Sequence, residues 1–166
     1  MMKINKVIVG PLRTNCYIIS INNECLVIDP GDNYELIKEE IGSKKVIGTI
    51  ITHHHFDHIG AINHFDNIHD ISNLKEGINT IGTFTFEVIY TPGHTNDSIC
   101  IYFKDDNIMF VGDFLFKDGI GRTDLGGNEI DMHNSLIKIS KYNKDITIFP
   151  GHGDKSKLGI EVNKWI

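Results

Sequence analysis

The chain has 166 residues, 40% of them hydrophobic and 23% charged, with 16 Lys plus Arg against 22 Asp plus Glu for a net charge of −6. That length fits one domain, the composition excludes disordered, collagenous and coiled-coil chains, and the acidic balance argues against a nucleic-acid-binding surface. Histidine is the outlier: there are nine, three of them consecutive.

In chain order, Lys3–Val9, Cys16–Ile21 and Cys25–Asp29 read as strands, rich in Val and Ile and separated by polar or glycine turns. Asn33–Ile41 reads as a short helix stopped by Gly42, with Ile37 and Ile41 on one face. Val46–Thr52 is a buried strand, and Gly60–Phe65 opens a helix. Phe84–Thr91, Ile99–Phe103 and Ile108–Val111 are further strands. Asn128–Tyr142 is the strongest helix, its polar residues punctuated by Ile130, Leu136, Ile137 and Ile139, with Asp131 favouring the N-terminal end. Ile146–Phe149 is a late strand and Ser156–Ile166 a closing helix. Runs of strands with interspersed helices predict an α/β layered sandwich rather than a helical bundle.

The apolar stretch in Met1–Gly10 is too short for a signal peptide, and no run approaches the roughly 18 apolar residues of a membrane helix. Cys16, Cys25 and Cys100 are widely spaced and odd in number, which reads as buried reduced thiols. The expectation is a cytoplasmic protein that engages neither membrane nor nucleic acid.

The densest chemical signal is Thr52-His53-His54-His55-Phe56-Asp57-His58-Ile59-Gly60, directly after an apolar strand. Alternation along extended backbone puts His53 and His55 on one side and His54 on the other. Asp57 and His58 follow where the chain turns toward a helix and can point back at the same space. Imidazole and carboxylate are the nitrogen and oxygen donors of a metal site, so this spacing points to metal binding. Three later strand ends carry matching residues: Pro92-Gly93-His94, Gly112-Asp113 and Pro150-Gly151-His152. Loops at strand ends are where α/β folds place chemistry.

These motifs, in this order, resemble the metallo-β-lactamase superfamily over nearly the whole chain. Asn15-Cys16-Tyr17-Ile18-Ile19, Gly112-Asp113-Phe114-Leu115-Phe116 and the segment from Gly119 through Arg122-Thr123-Asp124 to Gly127 resemble its glyoxalase II-like hydrolases, the short bacterial type in particular. The resemblance implies the αβ/βα four-layer sandwich with its metal site at one edge of the sheets. It also implies two divalent ions, zinc foremost with iron or manganese as alternatives. His53, His55 and His94 would hold the first, Asp57, His58 and His152 the second, and Asp113 would bridge them. His54, His64, His69 and His133 match no motif position.

By the same resemblance, two such ions activate a shared water for attack on a carbonyl carbon, with Asp57 orienting it. The implied substrate is a small-molecule thioester of the S-D-lactoylglutathione type. Arg122, nine residues after Asp113, either clamps a substrate carboxylate or pairs with Asp124. Only 13 residues follow Gly153, room for one closing helix; the longer glyoxalase II enzymes append a helical glutathione-binding domain there. A secreted β-lactamase, with Cys in place of Asp113 in its commonest subclass, and the RNA-processing and flavodiiron relatives all fit less well. The remaining alternatives are a persulfide dioxygenase, using one iron on His53 or His55, His94 and Asp113, and a metal-binding module without turnover. The sequence leaves oligomeric state open.

Overall fold

The computed structural model describes residues 1–166. Its first sheet is built from β1 (Lys3–Val9), β2 (Thr14–Ile21), β3 (Glu24–Ile28), β4 (Lys45–Ile50) and the two-residue β5 (Ile68–His69), in that spatial order. β1, β2 and β3 form an antiparallel meander, and β4 and β5 then add in parallel. Helix α1 (Tyr34–Ile41) makes the crossover from β3 to β4, and α2 (Phe56–Ile59) follows β4. The second sheet contains β6 (Gly77–Ile81), β7 (Phe84–Tyr90), β8 (Ile99–Phe103) and β9 (Ile108–Gly112). After a small hairpin of β10 (Leu115–Phe116) and β11 (Gly119–Ile120) come α3 (Glu129–Ile139), β12 (Thr147–Pro150), β13 (Ser156–Lys157) and α4 (Leu158–Val162). Its order is β13-β12-β9-β8-β7-β6, with β9 and β12 parallel.

Period-two alternation decides the layering. On β2, Tyr17 and Ile19 face the second sheet, where they meet Phe86, Ile101 and Phe110 from β7, β8 and β9. Cys16 and Ile18 point the other way, onto Ile37 and Ile41 of α1. On the far sheet, Cys100 and Met109 face outward against Met132, Leu136 and Ile139 of α3 and Leu158 and Val162 of α4. The result is helix, sheet, sheet, helix: the four-layer αβ/βα sandwich. All three cysteines are buried and unbridged, and no helix is long and apolar enough to cross a membrane.

Three expectations change. Of the apolar residues that marked α3, Leu136 and Ile139 meet the sheet together with Met132, while Ile130 and Ile137 are 74% and 40% exposed. Gly60–Phe65 holds one 3-10 turn at Ile62–His64 because the Ala61 N–H bonds to the Pro30 carbonyl, drawing the chain out of helical register, and the helix lies earlier at Phe56–Ile59. Ser156 and Lys157 pair as a strand with β12, leaving only Leu158–Val162 helical.

Candidate metal centre

Every motif residue arrives from the same edge of the two sheets. His53 and His55 follow β4, Asp57 and His58 lie in α2, His94 sits between β7 and β8, Asp113 follows β9, and His152 follows β12. The folded chain brings all seven together. One group of donor atoms comprises His53, His55 and His94, and a second comprises Asp57, His58, Asp113 and His152; within each, the atoms lie within 4.8 Å of one another. Asp113 Oδ2 is the hub. It stands 3.1 Å from His58 Nε2, 3.3 Å from His152 Nε2, 3.6 Å from His53 Nε2 and 3.7 Å from His94 Nε2.

The opposite nitrogen of each imidazole is held. His58 Nδ1–H donates to Asp29 Oδ2 at 2.8 Å, His94 Nδ1–H to the Arg122 carbonyl at 2.7 Å, His55 Nε2–H to the Leu125 carbonyl at 2.8 Å and His152 Nδ1–H to the Leu12 carbonyl at 3.1 Å. His53 Nδ1 meets Thr52 Oγ1 at 3.1 Å, and that hydroxyl donates to Asp29 Oδ2 at 2.6 Å. Such partners fix which nitrogen faces inward: Nδ1 for His55 and Nε2 for the other four.

Two features test whether these residues fit a cation. His55 Nδ1 and His94 Nε2 stand 3.1 Å apart although the other nitrogen of each ring already donates its proton elsewhere. Two lone pairs that close repel unless a cation lies between them. In addition, His53 Nε2 and Asp113 Oδ1 are buried with no hydrogen-bond partner, an expensive arrangement for polar atoms in a protein interior. The donor set fits divalent metal ions.

Local backbone makes this crowding feasible. A Cβ on Gly151 would fall 2.3 Å from Asp113 Oδ1 and 2.6 Å from His58 Cε1, so only glycine admits the His152 loop this close. The loop is anchored by Asn15 Nδ2, which donates to the Pro150 and Gly153 carbonyls, and by the Tyr17 hydroxyl, which donates to Pro150.

The electrostatics of the two groups differ. Burial lowers the His53 and His94 imidazoles, keeping them neutral at pH 7. Burial opposes protonation of His58 and His152 as well, but carboxylates prevail: Asp29 and Asp113 raise His58 to about 10, and Asp113 and Asp57 raise His152 to about 9. Asp57 is held at about 2 despite its partial burial, by hydrogen bonds from His152 and Thr14 and by the charge on His58. A cation entering between His53 and His94 therefore displaces no proton from either. One entering the second group must displace a proton from both His58 and His152, so its affinity rises with pH until both have lost their protons, at about 10. Calorimetric titration in buffers of different ionisation enthalpy should show the second ion, not the first, releasing protons. Equal release by both would overturn this ordering.

Among the remaining histidines, His54 faces away, its Nδ1 2.6 Å from Asp97 and its Nε2 3.1 Å from Asp70. His64 stacks on Tyr34. The Arg122 guanidinium is not among the metal donors: it forms a two-pronged ion pair with Asp124 at 2.6 and 2.7 Å and is 63% exposed. Its backbone carbonyl, not its side chain, touches the cluster. Sequence reasoning left Asp29, Thr14 and Thr52 unassigned. The one available signal was positional, since Asp29 ends β3 as Asp113 ends β9.

The family model of the metallo-beta-lactamase superfamily matches residues 9–77 and 74–152. The chain belongs to that superfamily. A relative from Bacillus subtilis named "Probable metallo-hydrolase YqgX" is 30% identical, the match covering 96% of this chain and 94% of that protein. The hydroxyacylglutathione hydrolase of Francisella tularensis subsp. novicida is 31% identical over 85% of this chain, which spans only 63% of that enzyme's length. Among solved structures, the BLEG-1 B3 metallo-beta-lactamase superposes with a TM-score of 0.82 at 30% identity, covering 96% and 95% of the two chains. TTHA1623 in a di-iron-bound form has a TM-score of 0.82 at 26% identity, covering 94% and 96%. ETHE1 from Myxococcus xanthus shares the fold, with a TM-score of 0.84 at 22% identity over 95% of this chain and 80% of that one.

Proposed function

We propose that this superfamily member is a binuclear metallohydrolase that cleaves small-molecule thioesters, releasing a carboxylic acid and a thiol. The observation that carries this reading is the pair of complete donor groups meeting at Asp113. The hydroxyacylglutathione hydrolase relative supports the thioester class, and the di-iron-bound neighbour supports a site that takes metals other than zinc as well. His53, His55 and His94 would hold one divalent ion and Asp57, His58, Asp113 and His152 another, and such ions would polarise the substrate carbonyl and acidify water.

The chain's own residues do the remaining work. Asp57, held ionised at about 2, accepts a hydrogen bond from the Thr14 hydroxyl at 2.9 Å, which fixes its carboxylate for orienting the attacking water. The carbonyls of Leu12, Arg122 and Leu125 lock His152, His94 and His55 in one tautomer, so the imidazoles need no reorientation during turnover. A thiolate is a competent leaving group, with an ordinary pKa of about 8.5, and the thiol half needs little general-acid help.

The test is metal content measured beside a substrate panel. About two ions per chain and cleavage of S-D-lactoylglutathione or another thioester are expected. One iron per chain, with oxygen taken up and sulfite produced from glutathione persulfide, would replace this reading with the dioxygenase. The B3 metallo-beta-lactamase neighbour gives a second reading, opening of a β-lactam amide at the same centre; preference for a chromogenic cephalosporin over every thioester would establish it. For Arg122, release from Asp124 would free a two-pronged cation for a substrate carboxylate. Arg122→Ala is then expected to raise KM several-fold with kcat little changed, and an unchanged KM assigns the guanidinium to the Asp124 pair alone.

A further inference from the structure

A groove of about 680 Å³ is lined by the partly or fully buried Ile4, Tyr17 and Phe149 and by the exposed Lys6, Lys117 and Lys155, and Asp154 and Lys155 in its lining lie two and three residues beyond His152. None of these three ammonium groups has a hydrogen-bond or ion-pair partner, in contrast to Lys138 and Lys164, which are both paired. A second, smaller cleft shares Lys6 and Asp154 with it and reaches Arg13, Asn15 and His152. The two clefts adjoin at Lys6 and Asp154, and the second is lined by the candidate metal donor His152. Four cations face a single carboxylate, Asp154, along the two clefts, on a chain whose net charge is −6. An acidic protein repels anions at long range, so a local cationic groove marks where one is received.

Lys155 is three residues beyond His152, a span of at most about 11 Å along the chain. Lys117 follows Phe116, whose ring centroid is 6.1 Å from that of His152.

We propose that this groove receives the anionic end of the substrate's thiol half, a phosphate or carboxylate at its lysines, with the intervening chain lying over Ile4, Tyr17 and Phe149 and the scissile carbonyl at the metal centre. The proposal rests on the thioester reading of the same site. Lysine suits the role because its compact, mobile charge accepts either anion without demanding a fixed fork geometry.

The test measures binding rather than turnover, so the two readings fail separately. Metal-loaded protein is titrated calorimetrically with three non-hydrolysable S-methyl thioethers: those of coenzyme A (phosphates), glutathione (carboxylates) and neutral N-acetylcysteamine. At least one anionic ligand is expected to bind about tenfold or more tightly than the neutral one at low salt, with the advantage shrinking in high salt. In the variant Lys6→Gln/Lys117→Gln/Lys155→Gln, whose altered side chains are all exposed, that ligand should weaken at least about fivefold while the neutral one does not. The ligand that loses affinity tells phosphate from carboxylate. Equal affinities for charged and neutral ligands, no binding by the unsubstituted protein, or an unaffected variant overturns the groove assignment. Discrimination in binding without hydrolysis of any thioester would keep the groove and reject the thioester function.

Discussion

Asp113→Ala is expected to lower thioester hydrolysis on the order of a thousandfold and to empty both metal positions. The reason is geometric: Asp113 Oδ2 lies within 3.7 Å of four imidazole nitrogens drawn from both donor groups. Removing it leaves Asp57 as the one carboxylate in the two donor groups built around the five histidines. Asp113→Asn keeps the shape and removes the charge, so it separates the two contributions. Metal analysis should find occupancy well below that of the unsubstituted protein in both variants, and full occupancy in Asp113→Asn would show that the hub acts through shape alone.

The second large effect is expected at Asp29, a residue outside both donor groups centred on Asp113. Its carboxylate accepts the Thr52 N–H at 2.8 Å, the Thr52 hydroxyl at 2.6 Å and His58 Nδ1–H at 2.8 Å, and it is almost completely buried. Through Thr52 it also orients His53. Asp29→Ala strands a buried imidazole and two donors, a loss of about 3–5 kcal/mol by comparison with other broken buried pairs. Denaturant unfolding without added metal should reveal it. Metal affinity should fall about 10–100-fold, the usual range when the support of a ligating histidine is lost. Asp29→Asn, which keeps an acceptor oxygen for His58, should fall between. A variant with unchanged unfolding and unchanged metal affinity would remove Asp29 from the support of the site.

The contrast between Asp113 and Asp29 shows what was legible in the sequence. Asp113 follows a strand and glycine in the order expected after two histidine motifs, and that order, together with the family resemblance, exposed it. Asp29 also ends a strand, but its partner His58 is 29 residues away and nothing in the intervening segment announces the pairing. The short strands β5 and β6 were likewise silent, one because two residues carry no periodicity, the other because its only large apolar residues, Ile78 and Ile81, are three apart and fall on opposite faces. On α3, the sequence reading counts Ile130 and Ile137 beside Leu136 and Ile139 and passes over Met132. Which of these residues is buried depends on how the helix docks on β8 and β9.

The sequence by itself exposed the His-rich turn, because metal chemistry restricts donors to a few side chains and alternation sorts His53 and His55 from His54, while the full set of seven candidate donors came from the family resemblance. It also indicated a layered α/β fold, since runs of apolar strands such as β8 and β9, buried on both faces, need helices or a second sheet to cover them. Tertiary structure alone decided which imidazole nitrogen faces the centre, that the Leu125 and Arg122 carbonyls hold His55 and His94, that the Arg122 guanidinium lies against Asp124, and that Lys6, Lys117 and Lys155 share one groove. These are distances between groups as many as 149 residues apart, from Lys6 to Lys155. They arise from the packing of two sheets and are encoded in no single segment of the chain.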